Sequence, residues 1–149
     1  MDSNISVRRF QPRYQAAVKA LILHGMEEHW GWLDTTSNRD LDDIATNYAH
    51  GIFLVAVSDS MLVGTGALIP EIDGVGRVVR MSVASKARRQ GIGRLMLDRI
   101  CEEARCCGYH TLVVGAESWW DDAISFYKRY GFTTTARSED GQQFTLEIV

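Results

Sequence analysis

Between Arg77 and Cys107 an apolar stretch, a cluster of cations and two glycines run straight into a long amphipathic segment, and that order restricts what the chain can build. Val78, Val79, Met81 and Val83 read as a buried strand spanning Arg77 to Val83. Ile92, Leu95, Met96, Ile100, Ala104 and Cys107 recur every three or four residues, as on one face of a helix that begins at Gly91. Lys86, Arg88 and Arg89 crowd the turn between them. Gly91 and Gly93, lacking a Cβ, let a ligand approach the main chain. The first helical turn adds N–H groups without internal partners and the positive end of the helix dipole. Arg88, Arg89, Gln90, Gly91, Ile92, Gly93 and Arg94 therefore compose a cradle suited to a phosphate.

Two kinds of cradle are excluded. A nucleotide P-loop needs Gly-Lys-Ser/Thr, which Gly91-Ile92-Gly93-Arg94-Leu95 lacks, and a dinucleotide fingerprint needs a small residue where Met96 stands. A plain strand-to-helix turn with solvated arginines stays open on this segment alone. Charge distribution favours the cradle. The net charge is −3, yet Arg77 to Arg105 holds eight Lys/Arg against three Asp/Glu. His24 to Tyr48 holds six acids against Arg39, which suits either a cationic amine or a solvated helix face. An acidic balance without a long basic stripe makes nucleic acid a poor partner.

The length of 149 residues sets the expectation of one domain over residues 1–149. The longest apolar run, Ile52 to Val57, is too short to span a bilayer, and MDSNISVRR has no secretory h-region, so the expectation is a cytoplasmic protein without membrane association. Cys101, Cys106 and Cys107 lie on one predicted helix without CxxC spacing and read as reduced thiols, and the four histidines show no metal-ligand pairing.

Taken in order, Ile5 to Phe10 reads as a strand. A helix follows from Pro12 to about His24, with Ala16, Ala17, Ala20, Leu21 and His24 on its apolar face and Gly25 as its stop. Met26 to Asp40 reads as a connection carrying Trp30, Trp32 and the turn formers Asp34 to Asn38. Asp40 is placed to cap a helix running to Tyr48. Ile52 to Val57 and Met61 to Ile69 form a hairpin closed by Pro70, with Gly74 and Gly76 as the next turn. A strand from Tyr109 to Gly115 and a loop from Ala116 to Trp120 precede a helix capped by Asp121 or Asp122, which buries Ala123, Phe126, Tyr127 and Tyr130 and stops at Gly131. Phe132 to Arg137 and Gln143 to Val149 form a closing hairpin.

Arg88-x-x-Gly91-x-Gly93 after a strand resembles the acetyl-CoA pyrophosphate loop of the GCN5-related N-acetyltransferases (GNAT). Ala123-Ile-Ser-Phe126-Tyr127-Lys128-Arg129-Tyr130-Gly131-Phe132 resembles that family's A-x-x-F-Y-x-x-x-G-F segment. The resemblance covers Leu62 to Phe132 well and the first third by layout only. It implies an α/β (α+β) fold: a mixed, largely antiparallel central sheet of six to seven strands flanked by about four helices. It also implies edge-strand pairing into a homodimer.

By that resemblance the expected activity is acetyl-CoA-dependent transfer of an acetyl group to a primary amine of a small molecule or peptide, by direct attack in a ternary complex and with no metal. Main-chain groups of Met81, Ser82 and Val83 would meet the pantetheine, residues 88–94 the pyrophosphate, with Lys128 beside them. Tyr127 would be the general acid, or else a core residue next to Phe126. Glu28, His29, Trp30 and Trp120 are the candidate acceptor contacts. Two positions depart from the pattern. Arg77 stands where many members carry a glutamate base, leaving Glu71, Glu117, Glu28 or His29 as substitutes. Trp120 replaces a frequent asparagine and, beside Trp119, narrows the acceptor pocket. A non-catalytic acyl-CoA-binding regulatory module is the alternative.

Overall fold

The computed structural model describes residues 4–31, 38–117 and 120–148, so Trp32, the turn residues Asp34 to Ser37, Trp119 and Val149 lie outside the described residues. Among the described residues, seven strands and four α-helices follow one another as β1 (Ile5–Arg9), α1 (Gln15–Trp30), α2 (Ile44–Asn47), β2 (Ile52–Ser58), β3 (Met61–Ile72), β4 (Val75–Val83), α3 (Ile92–Cys106), β5 (Thr111–Glu117), α4 (Asp121–Tyr130), β6 (Thr133–Arg137) and β7 (Gly141–Glu147). The strands form one sheet in the order β1-β2-β3-β4-β5-β7-β6. Its pairs are antiparallel except β4 with β5, the pair that α3 connects as a crossover. The mixed, largely antiparallel architecture expected from the motifs is the one observed. No helix among the described residues is long and apolar enough to cross a membrane.

Apolar alternation on the central strands supplies two cores, one on each face of the sheet. Leu54, Leu68, Leu112, Val114 and Phe144 meet Ile92, Met96, Leu97, Ile100 and Ala104 of α3 together with Tyr127 of α4. Phe53, Val55, Val57 and Ala67 meet Val18 and Ile22 of α1 and Leu41 and Ile44 of the segment after it. Each large aliphatic side chain sealed in this way contributes about 1.5–3 kcal/mol relative to exposure. The buried face of α3 is Ile92, Met96, Leu97, Ile100, Cys101 and Ala104, whereas Leu95 and Cys107 face solvent.

Several local expectations are corrected. The first helix does not stop at Gly25 but runs to Trp30, where Gly31 closes it with φ +79°. Gly25 serves close packing: a Cβ there would lie 3.1 Å from Ser82 Oγ on β4. The face it buries is Val18 and Ile22, leaving Ala16, Ala17, Ala20 and His24 exposed, because small residues contribute little to the core and the longer branched ones take it. Asp40 caps no helix. Asp43 caps the four-residue α2 through Thr46 N–H, and Asp40 is engaged elsewhere. Pro70 lies inside β3, and the turn falls at Gly74. Gly76 belongs to β4, where a Cβ would strike Leu68 Cδ1 at 2.7 Å. Ala116 and Glu117 extend β5, and β7 begins at Gly141 and lies between β5 and β6. Neither Asp121 nor Asp122 caps α4; both sit in its first turn, where their charge complements the helix dipole. Of the four residues expected inside α4, Tyr127 is buried, and Ala123, Phe126 and Tyr130 are half-buried.

Candidate functional site

The site begins where β4 and β5 part. They pair only from Val75 with Thr111 to Arg77 with Val113. Beyond Arg77 the β5-facing edge of β4 has no strand partner among the described residues, while its other edge stays paired with β3 at Ser82 and Val83. A bulge marks the divergence: β4 advances from Val79 to Ser82 while β3 advances only from Ala67 to Thr65. Arg80 sits in the bulge at φ +56°, a conformation unfavourable for a side chain of that kind. Several bonds hold it. Thr65 Oγ1 donates to its carbonyl at 2.8 Å, and its guanidinium donates to both oxygens of Asp40 at 3.0 and 2.7 Å. Met81, Ser82 and Val83 therefore present main-chain groups along an open strand edge.

The glycine turn stands at one end of this opening. Gly91 adopts φ +78° and caps α3, whose first internal bond runs from Leu95 N–H to the Gly91 carbonyl at 3.0 Å. The N–H groups of Ile92, Gly93 and Arg94 thus leave the helix end unshared. A Cβ on Gly91 would meet nothing within 4 Å, so the space beside it is open. Gly93 is small for another reason: a Cβ there would lie 2.9 Å from Phe126 Cζ, where α4 crosses α3. Arg89, Gln90 and Lys128 are exposed. Arg88 donates to the Val83 carbonyl at 3.3 Å and to Glu28 Oε1 at 2.8 Å. Arg94 lies over the Tyr130 ring, 5.9 Å from its centroid.

Tyr127 reaches this region from α4 and is 7% exposed, its ring packed against Phe126, Phe132 and Phe144. Its hydroxyl has no hydrogen bond to a described residue and is not completely sealed. Burial pushes the phenol well above its usual range and keeps it protonated.

On the α1 side of the sheet, a groove of about 630 Å3 opens between Trp30, Gly115, Glu117, Trp120, Gln143 and the β6–β7 turn. Because α1 continues to Trp30, it delivers His29 and Trp30 onto the end of β5. Trp30 Nε1 donates to Glu117 Oε2 at 3.1 Å, and His29 Nε2 lies 3.3 Å from Glu117 Oε1. His29 stacks on Trp120 at 3.5 Å between ring centroids, so three of the four acceptor candidates form one cluster. Glu28, one turn-position earlier, pairs instead with Arg88. Of the two leading base candidates, Glu71 is tied in a two-point pair to Arg77 at 2.9 and 2.8 Å, which holds its carboxyl below the usual carboxylate range. Arg77 also donates to Gln143 Oε1 at 2.9 Å. The clustering of Glu117 with His29, Trp30 and Trp120 was not readable from spacing, since it joins residues 87 or 88 apart.

A splayed parallel pair, a bulge, and a glycine-capped helix beside the splay define a mixed α/β fold with an open strand edge next to an anion-binding helix end. The chain belongs to the GNAT acetyltransferase family: residues 49–134 match the acetyltransferase (GNAT) domain model. It is 32% identical over 131 residues to the IAA acetyltransferase of Azospirillum brasilense, across 87% of this chain and 84% of that one. It spans about half the length of several rodent N-acetyltransferase 8 relatives that it also matches. The crystal structure of a GNAT-family acetyltransferase from Staphylococcus aureus Mu50 superposes with a TM-score of 0.89 at 21% identity, covering 97% of this chain and 99% of that one. The Salmonella typhimurium acetyltransferase yncA, solved with acetyl-CoA, superposes at 0.79 with 23% identity over 99% and 95% of the two chains.

Proposed function

We propose that this chain transfers the acetyl group of acetyl-CoA to a primary amine by direct attack within a ternary complex. The observation that carries the reading is the open β4 edge at Met81, Ser82 and Val83, flanked by the bare N–H groups of α3 on one side and the Glu117 groove on the other. The residues present fit acetyl-CoA, which supplies an activated thioester. Main-chain groups of residues 81–83 hold the pantetheine arm as a strand would. Residues 88–94, with Lys128 nearby, hold the pyrophosphate through N–H groups and cations.

Glu117 is the base in this reading. Glu71 is spent on Arg77, whereas Glu117 faces the groove and is oriented by His29 and Trp30. It receives the proton lost by the amine as the nitrogen bonds to the acyl carbon. Tyr127, held protonated by its burial, gives its hydroxyl proton to the departing thiolate as the carbon–sulfur bond breaks. Positioning supplies most of the remaining acceleration.

Calorimetric titration of acetyl-CoA into the wild type and an Arg88→Ala/Arg89→Ala variant tests the cradle: micromolar binding weakened at least tenfold is expected. Arginine variants are the cleaner choice because Gly93 also accommodates Phe126. Binding without amine-dependent thiol release from any amine would favour the non-catalytic acyl-CoA module instead.

A further inference from the structure

Arg77 occupies a place where its charge serves more than a surface pair. Its side chain is 25% exposed and lies across Gly115, with Nη1 3.9 Å from where a Cβ on that glycine would stand. Nε and Nη2 are taken by Glu71 and Gln143. Among the described residues, Nη1 carries no protein hydrogen bond. Because Arg77 only donates, the Gln143 oxygen must face it, and the Gln143 amide N–H groups turn outward. Gly115 and Gln143 both line the groove, and Gly115 is exposed there. Glu117 is two residues farther on β5 and on the same face, about 7 Å along the strand. The groove floor therefore offers the Gln143 amide at one end, with Arg77 Nη1 reaching its edge beside Gly115, and the Glu117 carboxylate at the other; Arg137 and Asp140 line it on the β6–β7 side. Trp30 and Trp120 form its wall, their rings 6.3 Å apart between centroids.

We propose that Arg77 is a specificity-determining residue that receives the carboxylate of the acceptor, so that the acceptor is a free amino acid with an apolar or aromatic side chain. This rests on the acetyl-transfer reading and extends it. Gly115 and Glu117 stand about 7 Å apart along β5, a spacing comparable with two hydrogen bonds plus the short span of an α-amino acid. Arg77 Nη1 and the Gln143 amide bind the carboxylate, Glu117 takes the amine, and the indoles cover the side chain.

The test uses the full chain and three matched acceptors: L-phenylalanine, L-phenylalaninamide and 2-phenylethylamine. Thiol release from acetyl-CoA is expected to give a kcat/KM at least tenfold higher for the acid than for either analogue. In Arg77→Gln that ratio should fall at least fivefold, with Arg77→Lys intermediate because the charge stays and the planar fork is lost. A wild-type ratio at or below one overturns the proposal whatever the variants do, and so does an unchanged ratio in folded Arg77→Gln. Tryptophan fluorescence titration with L-phenylalanine separates the two readings. If no amine is acetylated yet L-phenylalanine is bound by the wild type and at least tenfold more weakly by Arg77→Gln, the carboxylate site stands and the transferase reading falls. If neither turnover nor binding occurs, both fall.

Discussion

Glu28 of α1 accepts from Arg88 of the glycine turn at 2.8 Å, joining the end of the first helix to the proposed pyrophosphate cradle across sixty residues of chain. Arg88 cannot give the same donor to both Glu28 and a phosphate. Glu28→Gln should therefore tighten acetyl-CoA binding by about two- to fivefold at low salt, the range expected of a partly exposed ion pair. The gain should vanish in high salt as the pair is screened. Calorimetry at two ionic strengths reads both effects, and weaker binding in the variant would make Glu28 an organiser of the cradle.

Tyr127→Phe removes a hydroxyl that no described residue bonds and leaves the ring against Phe126, Phe132 and Phe144. Stability should change by less than about 1 kcal/mol. Thiol release should slow by roughly 10²-fold or more, the usual worth of a positioned acid. Acetyl-CoA affinity measured by calorimetry should stay within twofold. A variant with undiminished turnover would reduce Tyr127 to packing.

The two glycines of the turn should fail differently. Gly91→Ala meets open space but must hold φ +78°, at a cost of about 1–2 kcal/mol. Gly93→Ala brings its methyl 2.9 Å from the Phe126 ring, at a cost of about 1–3 kcal/mol. Phe126→Leu should relieve the second loss and leave the first untouched. Urea unfolding of the single and paired variants checks this.

Asp40 links acid stability to the β4 bulge. Burial pushes its carboxyl up, but bonds from Arg80 and Tyr48 outweigh that and hold it below the usual range. A carboxyl lowered in the folded state stabilises fully above its unfolded value of about 3.9, and the contribution is lost as pH falls through the folded value. The stability gap between wild type and Asp40→Asn should be constant near neutrality and close below about pH 4. Tyr48 behaves oppositely. Burial and the bond to Asp40 raise its phenol to about 12, so its contribution persists below about pH 10 and disappears as pH rises through 12. Denaturant midpoints across pH for Asp40→Asn and Tyr48→Phe read both arms.

Much of the geometry of the proposed cofactor cradle was legible in the chain because its parts are contiguous. The glycines, the cations and the amphipathic α3 lie within thirty residues, and each acts through its own backbone or helix end. The cluster proposed to face the acceptor was not. Glu117 meets His29 and Trp30 because α1 passes through Gly25 instead of stopping there, and Gly25 lies where a Cβ would crowd Ser82 on β4. A glycine that reads locally as a helix stop sits instead at a close approach of helix and strand.

Periodicity and turn chemistry determined the strands, the long helix and the glycine cap, since these follow from short-range backbone preferences and from which side of an element is apolar, while the two spaced motifs carried the family resemblance. Tertiary structure decided the rest. Glu71 became a partner of Arg77, Asp40 a clamp on the bulge instead of a helix cap, and Gly93 a seat for Phe126. Those outcomes depend on distances between residues far apart in sequence, and a side chain's partner is fixed only when the sheet register brings its neighbours within hydrogen-bond reach.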